Sequence, residues 1–311
     1  MAAASSTRSE IKVRARRRRH YGVGHADAVL HPAVRIAVII AFLVLVLLPV
    51  LYMVLLSLTP DQAVALGAVS LSHLDLKNYV DMWSSAPIAT GIVHSLIIAG
   101  SSAILSVIVG LLAAYPLARI KFRGRTAFLQ SLIWAQTVPH TTLVLPLFAV
   151  LAYIQTLLSV HLIGGYGPII ALYMTFGLPL STWLLFSYMR RVPLEIEEAA
   201  LIDGCSRVRM LWRVIFPVAL PAAAVAFVFA FLVGWNDVLF ASVLTTEQNT
   251  TLAVTLQRLA DVETGLPAYG QLMAASVVSA IPAVVLYVGL QRYLVQGLSS
   301  GSVAGALSGG P

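Results

Sequence analysis

Charged residues in this chain are gathered into short clusters. Between the clusters lie five stretches with no Asp, Glu, Lys or Arg: Ile36–Leu58 with 23 residues, Met82–Ala118 with 37, Thr126–Met189 with 64, Val214–Asn236 with 23 and Thr264–Gln291 with 28. A helix rises about 1.5 Å per residue, so about 20 residues cross a hydrocarbon core about 30 Å thick. The 64-residue stretch fits two spans joined by a hairpin, for which Gly164, Gly165, Gly167 and Pro168 supply the turn. One span from each of the others makes six. The expected fold is an all-α membrane protein with six transmembrane helices.

Composition closes the alternatives. Only 11% of the 311 residues are charged and 59% are hydrophobic, with a mean hydropathy of +0.88. A soluble domain carries about 25% charged residues, so a water-facing enzyme of this size is excluded. No long segment is of low complexity, which removes disorder and fibrous repeats. The single Cys205 rules out a disulfide framework and a thiolate metal cage.

Orientation follows from Lys and Arg, which stay on the cytoplasmic side of short loops. With the N-terminus inside, 18 of the 20 basic residues fall in cytoplasmic segments, and only Lys77 and Arg258 fall outside. Both termini are therefore expected in the cytoplasm. The division is a basic tail over 1–32, a six-span domain over 33–291 and a C-terminal tail over 292–311. The basic run Lys12–His20 reads as a topogenic anchor on anionic headgroups rather than a nucleic-acid arm, because a span follows closely. Residues 1–30 are expected to be flexible. The first apolar stretch exceeds the 7–15 residues of a signal-peptide core.

The chain has no G-x-x-x-x-G-K-[ST] or H-E-x-x-H. Its seven histidines are scattered, and His140 and His161, in or beside apolar stretches, have no acidic residue at helical spacing. They read as packing residues. No catalytic residue, metal site or cofactor is expected on this chain. Ion-coupled secondary transport is the rival from another mechanistic class, but its usual marks are internal repeats and intramembrane ionisable groups. No repeat is visible, and Asp237 alone lies inside a plausible span.

The segment Arg190–Pro221 is the most informative. Pro193 suits the first turn of a helix, Glu195, Glu197 and Glu198 favour its positive end, and Gly204 is placed to stop it. A helix of about ten residues between two spans is expected. A second amphipathic stretch, Ser206–Phe216, reads as an interfacial helix ahead of Pro217 and Pro221, which mark entry to the fifth span. The run Glu198-Ala199-Ala200, then Gly204, then Val214, Phe216 and Pro217 resembles the EAA loop of ABC importer permeases. Val214 and Phe216 stand where that pattern usually has Ile and Leu. Leu76–Trp83, Ala113–Gly124, Trp235–Phe240, Thr251–Gln257 and Gln291–Gly305 resemble, in order, segments of the maltose-type carbohydrate uptake permeases.

The resemblance implies a permease subunit of the bacterial cytoplasmic membrane, not an enzyme. Glu198, Ala199, Ala200, Asp203 and Gly204 would form a coupling helix between spans 4 and 5, docked on a separate ATPase. ATP and Mg would be bound by a pair of partner ATPase subunits. A second homologous permease would complete the path, and an extracytoplasmic solute-binding (lipo)protein would deliver a di- or oligosaccharide to loops 59–88 and 245–270. Those loops carry Asp61, Asp75, Asp81, Glu247, Asp261 and Glu263. The tail Gln291–Gly305 resembles one that reaches the ATPases and fits a flexible strand.

Trp235, Asn236 and Asp237 are the candidates for the sugar path, since an aromatic face with amide and carboxylate groups suits a carbohydrate. The same cluster also fits helix packing and capping. Tyr115 and Pro116 read as a packed kink. Glycerol-phosphate-type and sugar-alcohol substrates are the alternatives within the family, and the absence of Lys or Arg inside a span favours a neutral sugar.

Overall fold

The computed structural model describes residues 32–65, 74–261 and 268–307. The basic tail, the 66–73 part of the first outer loop and the 262–267 segment with Glu263 lie outside the described residues. Among the described residues the secondary structure is helical throughout. In chain order the helices are α1 Pro32–Ser57, α2 Asp61–Ala65, α3 Lys77–Ser85, α4 Ile88–Arg119, α5 Arg125–Thr137, α6 Val144–Leu158 and α7 Tyr166–Met189. There follow α8 Glu195–Ile202, α9 Arg207–Met210, α10 Phe216–Asn236, α11 Leu239–Leu244, α12 Leu252–Ala260 and α13 Tyr269–Leu307.

Six segments among the described residues are long and apolar enough to cross a membrane. They are Ala33–Ser57, Ile88–Arg119, His140–Leu158, Tyr166–Met189, Arg207–Asn236 and Tyr269–Tyr293. Each overlaps one of the charge-free stretches, as expected, with Arg only near the ends of four of them, and the hairpin between the third and fourth turns at Gly164, whose φ is +86°. The chain divides after Tyr52 into two units. In the first, α1 exposes apolar side chains along its length, among them Ile40, Phe42, Leu45 and Leu51. Such side chains suit lipid.

In the second unit α4, α7 and α10 form the core. Their contact faces are built from small residues, which let backbones approach closely where lipid provides no hydrophobic drive between helices. Gly177 on α7 is the tightest point. A Cβ there would lie 2.8 Å from Ser106 Oγ on α4 and 3.0 Å from Ala230 Cβ on α10. Ser106 Oγ also donates to the Met174 carbonyl at 3.1 Å, a hydrogen bond from α4 to α7 inside the apolar layer. Around this core, α13 packs on α10, α3 packs on α13, and α12 packs on α4. Asn78 on α3 is buried and donates to the Ser57 and Thr59 carbonyls at 3.0 and 2.8 Å.

Three local expectations change. Ser206–Phe216 is not a separate interfacial helix. Ser206 caps α9, a π-helical turn over Leu211–Ile215 follows, and the chain runs without interruption into α10. Pro217 lacks an N–H, and the turn ahead of it is widened, the Phe216 N–H donating to the Leu211 carbonyl, so the prolines sit within one continuous run rather than divide two helices. The loop helix is shorter than expected, Glu195–Ile202, with Pro193 before its cap. The chain beyond Gln291 continues as helix to Leu307, where a flexible strand was expected.

Candidate functional site

The loop helix α8 is held from below and open above. Glu197 is 6% exposed. Its carboxylate accepts from Arg119 Nε at 2.6 Å and from the Tyr115 hydroxyl at 3.1 Å. Arg119 also donates through Nη2 to the Val192 carbonyl at 3.0 Å. Arg119 and Tyr115 belong to the last turns of α4, so an ion pair with little access to water fixes α8 to the end of that span. A buried carboxylate needs such a partner. Ala200 is buried on the same side of α8 and joins the α4–α7–α10 core. Tyr115 is therefore a hydrogen-bond donor to the loop as well as a packing residue.

The opposite face is open. Glu198, Ala199, Leu201, Ile202, Asp203 and Gly204 are exposed, Ile202 at 86%. Gly204 has φ +82° and ends α8. The Cys205 N–H donates to the Ala200 carbonyl and the Gly204 N–H to the Leu201 carbonyl, each at 3.0 Å. That pair of bonds is the Schellman arrangement, and the left-handed residue in it is normally glycine. A Cβ on Gly204 would meet nothing within 4 Å, so the backbone angle, not space inside this chain, calls for glycine. The five residues expected to couple to an ATPase thus share one short element, with Ala200 turned inward. Glu197 did not stand out in the sequence. An acidic residue beside an acidic residue gives no local sign of which one meets a cation 78 residues away.

Of the three path candidates, Asp237 is separated from the other two. Trp235 is buried, stacked on Phe231 with ring centroids 5.3 Å apart, and borders a cavity of about 350 Å³. Asn236 is exposed beside the same cavity and donates to the Leu232 carbonyl at 3.1 Å. Gln257 and Ser279 complete its polar lining, with Val238, Leu252, Ala253 and Leu256 as apolar walls. Asp237 is engaged elsewhere. Its Oδ2 accepts from the Tyr173 hydroxyl at 2.7 Å and from the Phe240 and Ala241 N–H groups at 3.0 and 3.1 Å. It caps α11 and ties that helix to α7, a capping geometry satisfied inside the chain. Gln257 and Ser279 reach the cavity from α12 and α13, which no short motif around Trp235 indicates.

Other polar candidates sort in the same way. Asp61 accepts from the Gly270 N–H at 2.6 Å and from Gln271 Nε2 at 3.0 Å, so it caps α13 instead of facing a partner. Glu247 and Asp261 are exposed, and Glu247 meets Arg258 at 3.4 Å. His140 packs on Phe176 with ring centroids 4.3 Å apart. No group of three or more potential metal ligands occurs among the described residues.

Comparison with known proteins places this arrangement. Residues 106–300, more than half of the chain, match the family described as binding-protein-dependent transport system inner membrane component. The inner membrane ABC transporter permease protein YcjP of Escherichia coli (strain K12) is 33% identical over 272 residues, covering 85% of this chain and 93% of that protein. The trehalose/maltose transport system permease protein MalG of Thermococcus litoralis is 32% identical over 266 residues, covering 84% and 93%. A crystal structure of a bacterial ABC transporter involved in the import of the acidic polysaccharide alginate has a chain of the same fold. It overlaps with a TM-score of 0.70 at 21% identity, covering 84% of this chain and 95% of that one. With its apolar spans it is a multi-pass protein of the cytoplasmic membrane, a transport subunit without catalytic chemistry of its own. The chain belongs to the binding-protein-dependent inner-membrane permeases of ABC transporters.

Proposed function

We propose that this chain is one of two homologous permeases that together form the path for a neutral di- or oligosaccharide, in an importer driven by two ATPase subunits. Both termini and α8 lie on the cytoplasmic side in this reading. An extracytoplasmic binding protein delivers the sugar from the opposite side. The observation that carries it is α8: an element whose exposed face bears Glu198, Ala199, Ile202 and Gly204 while Glu197 ties it to α4. A helix anchored this way transmits displacement to a span instead of absorbing it. ATP-driven closure of the ATPases would draw two such helices together and rock the spans. Glu198, Ala199, Asp203 and Gly204 form the contact, with Ala200 as its inward support.

The sugar assignment is supported by the trehalose/maltose permease at 32% identity. It is also supported by the cavity lining, which offers an aromatic, two amides and a hydroxyl and no Lys or Arg. That chemistry favours hydroxyl-rich neutral ligands over phosphates, which call for cationic groups. Trp235 and Asn236 are the path residues in this reading, and Asp237 supports them by fixing α11.

The test is ATP hydrolysis by the complex purified through this chain in lipid nanodiscs, with its binding protein loaded in turn with maltose, trehalose, diacetylchitobiose and glycerol 3-phosphate. Stimulation by a neutral sugar supports the reading. Stimulation by glycerol 3-phosphate alone moves the substrate to the anionic class. No co-purifying ATPase, with uptake driven by a proton or sodium gradient, overturns it in favour of secondary transport.

A further inference from the structure

The longest charge-free stretch of the chain, Thr126–Met189, is bounded by Arg125 on one side and Arg190 on the other. The fold brings these two bounding charges together. α5 begins at Arg125 and packs along α7, which ends at Met189 just before Arg190. The Arg125 guanidinium lies 5.3 Å from the centroid of the Phe186 ring, and the Arg190 guanidinium lies 5.8 Å from the same centroid. Phe186 is buried, so two cations far apart in sequence share one ring where the apolar stretch starts and stops.

Neither cation is balanced within the described residues. No Asp or Glu occurs between Asp81 and Glu195. Neither Arg125 nor Arg190 reaches a carboxylate among the described residues, and the Glu197 carboxylate is taken by Arg119. Lys121 and Arg123, in the loop ahead of α5, are exposed and add charge of the same sign. A ring face attracts a guanidinium, but it does not cancel the repulsion between two of them. Arg125 is half-buried, which takes water from its charge and strengthens its need for an anion. The surroundings name the kind of anion. Phe128, nearly one turn after Arg125, and Trp183, two turns before Arg190, are exposed and lie inside the charge-free stretch. Aromatic side chains just inside a row of cations mark a membrane interface, and guanidinium forks match the oxygens of a phosphate. An acidic protein surface would be matched by the cations alone, whereas the exposed aromatics beside them suit acyl chains.

We propose that Arg125 and Arg190 hold the phosphate of an anionic phospholipid from the leaflet on the α8 side, with Phe128 and Trp183 against the upper part of its acyl chains. With no acidic residue nearby in sequence, the site selects a headgroup of net negative charge, such as phosphatidylglycerol, over zwitterionic phosphatidylcholine. The headgroup ties the start of α5 to the end of α7. Arg190 stands just before Val192, whose carbonyl accepts from Arg119, so the lipid steadies the connection that leads into α8. This inference concerns the membrane and does not depend on which solute is carried.

The experiment uses the assembled complex, with cysteine-free partner subunits, in nanodiscs that mix phosphatidylglycerol and phosphatidylcholine. One lipid or the other carries a spin label high on its acyl chain. Cys205 is the only cysteine, so in a Cys205→Ser background a bimane on Phe128→Cys reports the lipid at this position alone. Quenching is expected to show a preference for phosphatidylglycerol of at least about tenfold over phosphatidylcholine, the scale of two cations at a membrane surface. Arg125→Gln with Arg190→Gln is expected to reduce that preference to less than about twofold. Arg125→Lys with Arg190→Lys keeps the charges but loses the planar forks, and is expected to retain only part of it. No quenching by either lipid means that a partner protein covers the position, and equal quenching means unselective lipid contact; each overturns the proposal. A preference that survives loss of both cations overturns it as well. An undiminished preference in the lysine variant assigns the attraction to diffuse surface charge and also removes the site. The comparison of the two lipids at Phe128→Cys needs neither double variant, so it decides the matter even if those fail to assemble.

Discussion

Glu197 and Asp237 are both carboxylates held within or at the edge of the membrane domain, and they are held in opposite ways. Glu197 meets a guanidinium and a phenol, and the face behind it is open to solvent. Asp237 meets a phenol and two backbone N–H groups at the start of α11, all neutral and all inside the chain. The first is a joint between two elements, one of which has a free surface. The second is a cap that closes a bend. A carboxylate in an apolar stretch is a functional candidate by default. In this protein the carboxylate inside the apolar region is a cap satisfied within the chain, and the one that ties an exposed element to a span stands on the loop.

The largest effect that tests this contrast is removal of the joint. Glu197→Ala leaves the Arg119 guanidinium, 12% exposed, without its carboxylate. Breaking a buried pair from one side costs about 3 kcal/mol or more, read as a lower thermal midpoint of the purified complex. Arg119→Met with Glu197→Gln removes both charges and is expected to recover stability without recovering coupled uptake. If the double variant restores uptake, the ion pair acts only as a stabiliser and the contrast collapses.

Next in size is the cap. Asp237→Ala leaves the Tyr173 hydroxyl, in a residue 1% exposed, without its acceptor, at a cost of about 2 kcal/mol. Asp237→Asn keeps an acceptor and is expected to lie near wild type in both stability and uptake. Loss of uptake in Asp237→Asn with an unchanged thermal midpoint would make the charge itself functional.

The smallest effect sharpens the account of α8. Gly204→Val forces a β-branched residue to φ +82°, which costs about 1–2 kcal/mol, and is expected to uncouple hydrolysis from uptake while membrane insertion persists. Gly204→Asn tolerates the left-handed region and is expected to retain coupling. If Gly204→Asn uncouples as fully as Gly204→Val, a partner approaches that glycine closely, and space in the complex is the reason for it.

The spans were legible because a helix in lipid must satisfy its own backbone and exclude charge, which makes each of them a property of consecutive residues. The same holds for the end of α8, since Gly204 after Ala199–Ala200 is a local stop signal. The run from Ser206 into α10 was misread because Pro217 and Pro221 mark a boundary only if the turn before them cannot widen, and here it does. The cavity was half legible: Trp235 and Asn236 sit together in sequence, whereas Gln257 and Ser279 arrive from two other helices.

The sequence alone determined the number of spans, the likeness to importer permeases and the loop element, because the spans are charge-free lengths and the other two are carried by motifs of consecutive residues from Glu198 to Pro217. The tertiary structure alone decided that Glu197 and not Glu198 meets Arg119. It also decided that Asp237 turns to Tyr173 while its neighbours turn to the cavity. Each of these is a choice of partner across tens of residues. Such a choice is made by the packing of α4, α7 and α10, whose small contact residues fix the depths at which side chains meet.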